Sequence, residues 1–325
     1  VWHTSNLYSI PVQEELASKL VENTFADKVF FTNSGTESIE CAIKMARKYF
    51  FEKGFAEKKQ IITFEGSFHG RSIAAISASG AEKLTKGFGP LLPGFKSLPF
   101  GNLTGVEFLD PNQICAVLIE PIQGEGGIRP CEKEFLTGLR KICDEKNILL
   151  ILDEIQSGIG RSGDFFSYEH YGVKPDIVAV AKGIGGGFPL GCCLASTKAA
   201  SGMTLGSHGS TFGGNPLACA VGIAVVNQIF SDGFLNSVKE KGMKFFKGLE
   251  ALVLKNPTVF ESVRGRGLML GLKCKVDNSI VIEKAYKKKL LLVPGGDNVV
   301  RLLPPLNISE EDLSLAMEGL KSLTF

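Results

Sequence analysis

Two short apolar segments constrain the fold of this chain more than any other feature. They span residues 148–152 and 177–181, are rich in β-branched residues and are bounded by polar or turn residues. Both are too short for globular helices and are predicted to be strands buried on two faces, as in a parallel sheet. The first leads into Asp153 and the second into Lys182. Because open α/β sheets bind ligands beyond the carboxyl ends of their strands, we expect this acid and this amine to share a pocket.

An acid and a lysine at two strand ends suit the chemistry of pyridoxal phosphate. That cofactor requires a lysine that forms a Schiff base and an acid that faces its ring nitrogen. A lysine with its ordinary pKa of about 10.4 is a poor nucleophile at neutral pH, so such a site must desolvate the amine or surround it with positive charge. The two positions alone leave another interpretation open, in which Asp153 caps a turn and Lys182 is a solvated lysine.

A candidate phosphate site follows the strand predicted at residues 28–32. Residues 33–37 (NSGTE) form a small-residue turn that opens an amphipathic helix. The N–H groups and the dipole at a helix N-terminus favour an anion. An ordinary helix cap at Ser34 or Thr36 is the alternative.

The loop after the strand predicted at residues 60–64 carries three further candidates. Phe68 is placed either to stack on a planar cofactor or to pack in the core. Arg71 is suited to bind a carboxylate with its guanidinium fork, or is simply solvated. His69 has no partner at metal-ligand or triad spacing, and it is interpreted as a structural histidine. No metal site is predicted.

Composition excludes several classes of protein. A net charge of +2 without a basic or acidic block gives no electrostatic footprint for nucleic acid. No apolar run approaches the length of a membrane span. The eight cysteines form no CxxC pair and are predicted to be buried thiols in a reducing compartment, which favours the cytoplasm. Because the chain begins at Val1, we expect further N-terminal residues, and a targeting segment would lie among them.

The 325 residues are enough for two domains. We predict a large domain over residues 1–230 with a mostly parallel central sheet flanked by helices. A smaller α+β domain is predicted over residues 231–325, beginning with a long amphipathic helix. The predicted fold class is therefore α/β, with a smaller C-terminal α+β domain.

Seven motifs occur in the order known from one family: NSGTES, SFHGRS, IEPIQGEGG, LILDEIQSGIGRSG, KPDIVAVAKGIGGGFPLG, HGSTFGGNPLA and RLLPPLNI. Over almost its whole length the chain resembles the class III, fold-type I pyridoxal-phosphate-dependent aminotransferases. The resemblance implies that Lys182 forms the Schiff base and shuttles the proton, and that Asp153 pairs with the ring nitrogen. The cofactor contacts that it implies fall on Gly35, Thr36, Phe68, Asp153, Glu154, Ile155, Gln156, Lys182 and Thr211.

The resemblance also implies substrate contacts and a partner. Arg71 would bind the carboxylate of an acylated substrate, and Ser210 would lie near the substrate. Arg301 would bind the α-carboxylate of glutamate or 2-oxoglutarate, with Glu125 as a gate that neutralises it while the amine substrate is bound. Thr211 would reach the cofactor phosphate of the partner subunit, so that a homodimer with shared active sites is expected.

The implied reaction transfers the ω-amine of N-acetylornithine to 2-oxoglutarate and releases glutamate, a step of arginine biosynthesis. N-succinyl-diaminopimelate (in lysine biosynthesis), ornithine and 4-aminobutyrate are alternative amine donors. An aminomutase of the glutamate-1-semialdehyde type and a non-catalytic dimeric homologue are further alternatives. Residues 158–163 match GxGxxG, but no amphipathic helix follows them, and they are not interpreted as a dinucleotide site.

Overall fold

The computed structural model describes all 325 residues, which cluster into two compact units. The first unit comprises residues 1–121, 131–156 and 168–229, and the second comprises residues 122–130, 157–167 and 230–325. Residues 230–325 are the longest segment of the second unit. Residues 122–130 and 157–167 also belong to this unit, although they are flanked in sequence by segments of the first unit. No local pattern in the sequence signals that assignment.

The helices and strands are numbered in chain order. The twelve helices are α1 (Pro11–Glu22), α2 (Gly35–Glu52), α3 (Ile73–Ser79), α4 (Glu82–Thr85), α5 (Leu103–Glu107), α6 (Lys133–Glu145), α7 (Ser167–Tyr171), α8 (Thr197–Ala200), α9 (Pro216–Ile229), α10 (Phe234–Lys255), α11 (Asn278–Lys287) and α12 (Glu310–Lys321). The thirteen strands are β1 (Lys28–Thr32), β2 (Gln60–Phe64), β3 (Phe95–Leu98), β4 (Ile114–Ile119), β5 (Ile122–Gln123), β6 (Arg129–Pro130), β7 (Leu149–Asp153), β8 (Ile177–Val180), β9 (Gly191–Ala195), β10 (Phe260–Arg266), β11 (Met269–Cys274), β12 (Val293–Gly295) and β13 (Val299–Leu302).

A seven-stranded sheet of order β1-β9-β8-β7-β4-β2-β3 forms the centre of the first unit. The pairs β2–β3, β2–β4, β4–β7 and β7–β8 are parallel, whereas β9 runs antiparallel to both of its neighbours. Every residue of β4, β7 and β8 is buried, because helices such as α2 and α6 pack on the sheet. The predicted α/β fold with a mostly parallel sheet is confirmed.

Helix α2 connects the core of the first unit to the end of strand β8. Its apolar face buries Ile39, Ile43 and Phe50, and each such side chain contributes about 1.5–3 kcal/mol on burial. At its first turn the Ser38 hydroxyl donates to the carbonyl of Val180 over 2.9 Å. The start of α2 and the end of β8 are therefore held side by side, immediately before Lys182.

The second unit is built on a four-stranded antiparallel sheet of order β10-β11-β13-β12. Helices α10 and α12 pack on each other, and α10 also packs on β10. Their shared core includes Phe245, Leu249, Leu270 and Leu320. The short pair β5–β6 adds Ile122 and, through the turn between its strands, Ile128 to a smaller apolar cluster. This unit has the α+β character that the sequence predicts for residues 231–325.

No single helix is both long and apolar enough to cross a membrane, and only α9 and α10 taken together, as a bent pair, pass on length and composition. All eight cysteines are unpaired and buried, as predicted.

Candidate active site

A cavity of about 340 Å³ opens in the first unit at the carboxyl ends of β4, β7 and β8. It is within the usual size range of small-molecule sites, about 300–1,000 Å³. Asp153 and Lys182 both line it, which confirms the prediction that the two strand ends share one pocket. Its lining residues are Asn33, Ser34, Gly35, Thr36, Phe68, His69, Gly70, Glu120, Asp153, Ile155, Gln156, Ala181, Lys182, Gly187, Phe188, Pro189 and Leu190.

Lys182 begins a 3₁₀ turn directly after β8, and its side chain is exposed. Its φ of +47° lies in the left-handed region, which costs a residue with a side chain about 1–2 kcal/mol. Strain of this kind persists only where the surrounding structure fixes the backbone. Here the fixed elements are β8 and the glycine-rich turn at residues 183–187.

Asp153 ends β7 and is almost fully buried. Its Oδ1 accepts the N–H of Ile155 over 3.1 Å, and its Oδ2 lies 2.8 Å from Nδ1 of His69. Burial lowers the pKa of His69, but the hydrogen bond and charge of Asp153 and the charge of Glu120 outweigh it, so the pKa of His69 lies above its ordinary value. The sequence interpretation of His69 as merely structural missed this contact, since 84 residues separate the two side chains.

The N-terminus of α2 forms a second wall of the cavity. Ser34 caps the helix by accepting the N–H of Glu37, and the Glu37 carboxylate accepts the N–H of Asn33 over 2.7 Å. Gly35 and Thr36 are the first residues of the helix and line the cavity. N–H groups of a first helical turn have no partner within the helix, so they are available to an anion.

The remaining lining residues supply an aromatic ring and buried polar atoms. Phe68 is fixed by its N–H, which donates to Glu120 over 3.0 Å. Gln156 Oε1 and His69 Nε2 are buried without a hydrogen-bond partner in the protein. An anion-binding helix end, a buried carboxylate, an aromatic ring and unsatisfied polar atoms around one amine fit pyridoxal phosphate.

Two of the predicted cofactor residues do not line this cavity. The fully buried Glu154 directs its carboxylate to the N–H of Tyr168, over 2.9 Å. Thr211 lines a second cavity of about 570 Å³, together with Ser210, Phe212 and His208. Thr36 lies between the two cavities and lines both.

The predicted substrate residues lie in three places. Arg71 is exposed, with its guanidinium 5.6 Å from the centre of the Phe68 ring. Ser210 accepts the N–H of Gly213 over 2.9 Å in the loop before α9. In the second unit, Arg301 Nη1 on β13 lies 2.5 Å from Oε1 of Glu125, and their side chains are 11% and 40% exposed.

A parallel sheet that brings a lysine, a buried acid and an open helix end to one cavity defines a pyridoxal-phosphate enzyme. The aminotransferase class-III family matches residues 1–323. Acetylornithine aminotransferase from Agrobacterium fabrum is 56% identical over 320 residues, which are 98% of this chain and 79% of that protein. The chain belongs to the class-III aminotransferases, and pyridoxal phosphate is its cofactor.

Two solved structures show the same fold. Ornithine aminotransferase from Toxoplasma gondii superimposes with a TM-score of 0.95 at 30% identity, over 99% of this chain and 78% of that one. N-acetylornithine aminotransferase from Stenotrophomonas maltophilia gives a TM-score of 0.85 at 36% identity, over 99% of this chain and 82% of that one.

Proposed function

We propose that this aminotransferase moves the ω-amine of N-acetylornithine to 2-oxoglutarate, giving N-acetylglutamate 5-semialdehyde and glutamate. The observation that carries the proposal is the high identity, over nearly the whole chain, to a protein named acetylornithine aminotransferase. The Glu125–Arg301 pair supports the same reaction class, because a paired arginine suits an enzyme that alternates between substrates of different charge.

The residues of the cavity then take distinct roles. Pyridoxal phosphate, when bound, supplies a carbonyl for primary amines and a ring that withdraws electrons. Lys182 holds the cofactor through its Nζ and moves the proton at the substrate's amine-bearing carbon. Asp153 pairs with the ring nitrogen, and the N-terminus of α2 at Gly35 and Thr36 binds the phosphate. Phe68 stacks on the ring.

The backbone of residues 153–156 completes the cofactor site. Ile155 approaches Gly35 so closely that a Cβ there would lie 2.9 Å from Ile155 Cδ1, so a larger residue would displace the Ile155 side chain. The Oε1 atom of Gln156 has no partner in the protein and is available to the ring hydroxyl. Glu154 stabilises this turn, because its carboxylate accepts a hydrogen bond from the N–H of Tyr168.

The two substrates place opposite demands on the charge of the site. 2-Oxoglutarate and glutamate carry an α-carboxylate next to the reacting carbon, which Arg301 binds when Glu125 moves away. While N-acetylornithine is bound, Glu125 stays on Arg301 and neutralises it. Arg71 binds the carboxylate of the acylated substrate.

Ornithine is the second candidate donor, because the structural likeness to an ornithine aminotransferase is very high. N-succinyl-diaminopimelate is a further candidate donor, which differs from N-acetylornithine in its acyl group and in the carboxylate on its amine-bearing carbon. Comparison of kcat/KM for the three amines, with 2-oxoglutarate as acceptor, distinguishes them. We expect N-acetylornithine to have the highest value. An enzyme that forms no glutamate with any of the three amines would contradict the proposal.

We also propose that the protein acts in the cytoplasm as a homodimer in which Thr211 of each subunit serves the cofactor site of the other. The location of Thr211 outside the cavity of its own chain supports this arrangement.

Replacement of Lys182 tests the cofactor assignment directly. Lys182→Ala is expected to abolish the visible absorbance of the covalently bound cofactor and to lower kcat by about 10³-fold or more, since it removes both the covalent link and the proton carrier. Lys182→Arg keeps the charge and serves as the matched control, with the same two losses expected. Normal absorbance and turnover in either variant would overturn the role of Lys182.

A further inference from the structure

The loop at residues 157–167 carries the GxGxxG match of the sequence, for which the proposed reaction has no use. We propose that this loop places one positioning residue, Arg161, whose guanidinium holds the end of β13 and thereby the substrate-binding guanidinium of Arg301. This role deepens the one proposed for Arg301 and rests on it.

The loop packs with its main chain on the turn between β10 and β11. The carbonyl of Arg161 accepts the N–H of Leu268 over 3.1 Å. Gly267, in that turn, has a φ of +56°, and a Cβ there would lie 2.4 Å from the carbonyl carbon of Ser162. Because two main chains meet directly at this glycine, the base of the Arg161 side chain has a fixed position.

The Arg161 side chain joins β11 and β13 beyond their last paired residues. The two strands are antiparallel, and their ladder ends at the pair Leu270–Leu302. Two residues further along the same register stand Leu268 and Pro304, and Nη1 of Arg161 donates to both of their carbonyls, over 3.0 and 2.5 Å. Pro304 has no N–H with which to continue the ladder. Arg161 therefore supplies donors at a point where the sheet lacks one.

The surroundings of Arg161 favour a requirement for its hydrogen bonds over simple packing. Both acceptors are uncharged carbonyls, and burial, with no carboxylate to offset it, lowers the pKa of Arg161 to about 10. The guanidinium therefore stays charged at neutral pH without a counter-charge. Desolvation of such a group has a free-energy cost that an apolar side chain of similar length avoids. The two charge-assisted bonds to the carbonyls offset that cost.

Arg301 lies close to this fixed point on β13. It directly precedes Leu302, the last paired residue, and Pro304 follows it by three positions. Its side chain is held by Glu125 through Nη1 and by the carbonyl of Pro294, which accepts from Nε over 3.1 Å. When a substrate carboxylate replaces Glu125, the position of the guanidinium depends more strongly on the main chain of β13. A strand with a free end would present this guanidinium less well ordered and would bind the carboxylate less tightly.

The test compares Arg161→Met, which keeps an apolar stem and removes all donors, with a matched control in contact with the same loop. Arg266 on β10 lies 3.0 Å from Asp164 of this loop, so Arg266→Met also weakens the docking of the loop but leaves the carbonyls at the end of the β11–β13 pair untouched. The readouts are the dissociation constant of glutarate, a dicarboxylate without an amine or keto group, and kcat/KM for each substrate. Thermal unfolding of each variant is measured beside them.

Arg161→Met is expected to weaken glutarate binding by about tenfold, and to lower kcat/KM for 2-oxoglutarate to a similar extent, as for other residues that orient a ligating side chain. The kcat/KM for N-acetylornithine should change by less than about twofold, because Arg71 is proposed to bind its carboxylate. Arg266→Met should lower the unfolding temperature and leave all three values near those of the wild type.

A double-mutant cycle determines whether Arg161 acts through Arg301. Arg301→Ala alone should lower kcat/KM for 2-oxoglutarate, and adding Arg161→Met in that background should have almost no further effect. Additive losses would overturn the inference, because they show that Arg161 does not act through the substrate arginine. Similar losses of glutarate affinity in Arg161→Met and Arg266→Met would also overturn it, because they indicate loop packing alone.

If Arg161→Met does not fold, Arg161→Lys decides. Its ammonium keeps the charge but ends one atom short of Nη1, so a smaller loss of glutarate affinity is expected, and wild-type affinity overturns the proposal. If Arg301→Ala leaves kcat/KM for 2-oxoglutarate unchanged, the proposed role of Arg301 fails and this inference fails with it. If Arg301→Ala lowers that value and the variants of Arg161 do not, only the inference fails.

Discussion

Arg301 carries a charge that the two proposed substrates require in opposite ways. Its guanidinium is mostly buried, and Glu125 lies against it at 2.5 Å. A buried arginine without a counter-charge is costly, so the pair is stable until another carboxylate takes the place of Glu125. Glu125 lies in the short turn between β5 and β6, and its side chain is 40% exposed. Solvent therefore offers its carboxylate an alternative to the contact with Arg301.

Glu125→Gln is predicted to separate the two halves of the reaction. Loss of the counter-charge leaves the positive charge of Arg301 unneutralised while the cationic amine of N-acetylornithine binds, which should raise the KM for this substrate by about tenfold, equivalent to about 1.4 kcal/mol. The KM for 2-oxoglutarate should stay the same or fall. Steady-state kinetics with each substrate varied in turn measures both values. Glu261→Gln, at an exposed glutamate of the same unit, is the control for the change in net charge. Equal effects on the two KM values would contradict the gating role.

Individual residues differ in how far sequence alone predicts them. Asp153 and Lys182 follow from their positions at the ends of buried strands, a rule of α/β topology. His69 does not, because its contact with Asp153 depends on strands that are far apart in sequence but neighbours through β4. The Glu125–Arg301 pair came from the family resemblance, since no local pattern joins residues 176 positions apart.

Among the elements, the loop after β2 and the first turn of α2 fit together through one glycine. Gly70 adopts a φ of +124°, and a Cβ at this position would overlap Thr36 Oγ1. Thr36 is one of the two residues proposed to bind the cofactor phosphate, so the spacing of these two elements sets the phosphate site.

Gly70→Ala is predicted to weaken binding of pyridoxal phosphate by about tenfold, because displacing Thr36 removes a hydrogen bond to a charged group worth about 1.5–3 kcal/mol. Gly101→Ala is the matched control: Gly101 has a φ of +90°, but no atom lies within 4 Å of its added Cβ. Both variants should lose about 1–2 kcal/mol of stability from the positive φ, and Gly70→Ala should lose more, because its Cβ also overlaps Thr36. Only Gly70→Ala should lose cofactor affinity, as measured by equilibrium dialysis. Equal affinities in the two variants would refute the role of this contact.

The predictability of the elements follows their burial. Strands β4 and β7 are buried along their whole length, and their uninterrupted apolar runs predict them to within a residue. Strand β3 has no such signal, because it is a four-residue edge strand, half-exposed, in a segment rich in proline and glycine. Residues 122–130, with the pair β5–β6, and residues 157–167 belong to the second unit through tertiary packing, which local periodicity does not indicate.

At the scale of the whole molecule, the positions of Thr211 and Phe212 bear on how subunits combine. Both side chains are exposed in the single chain, and Thr211 lines a different cavity from Lys182. If Thr211 serves the phosphate site of another subunit, no isolated chain holds a complete site. A two-fold axis would then place each Thr211 at the cavity of the other chain.

Mixing two inactive variants tests this arrangement. A Lys182→Ala subunit keeps Thr211, and a Thr211→Ala subunit keeps Lys182. In a mixed dimer with shared sites, the cavity of the Thr211→Ala subunit receives an intact Thr211 from its partner and is fully native. Random pairing of equal amounts gives half mixed dimers with one native site each, so about a quarter of wild-type activity should return. If Thr211 instead acts within its own chain, both sites of every mixed dimer remain defective, and the mixture should show no more activity than the mean of the two variants measured separately. One variant carries an affinity tag, and recovery of the untagged variant together with it under the assay conditions verifies that the subunits have exchanged, so that a missing gain in activity counts against shared sites.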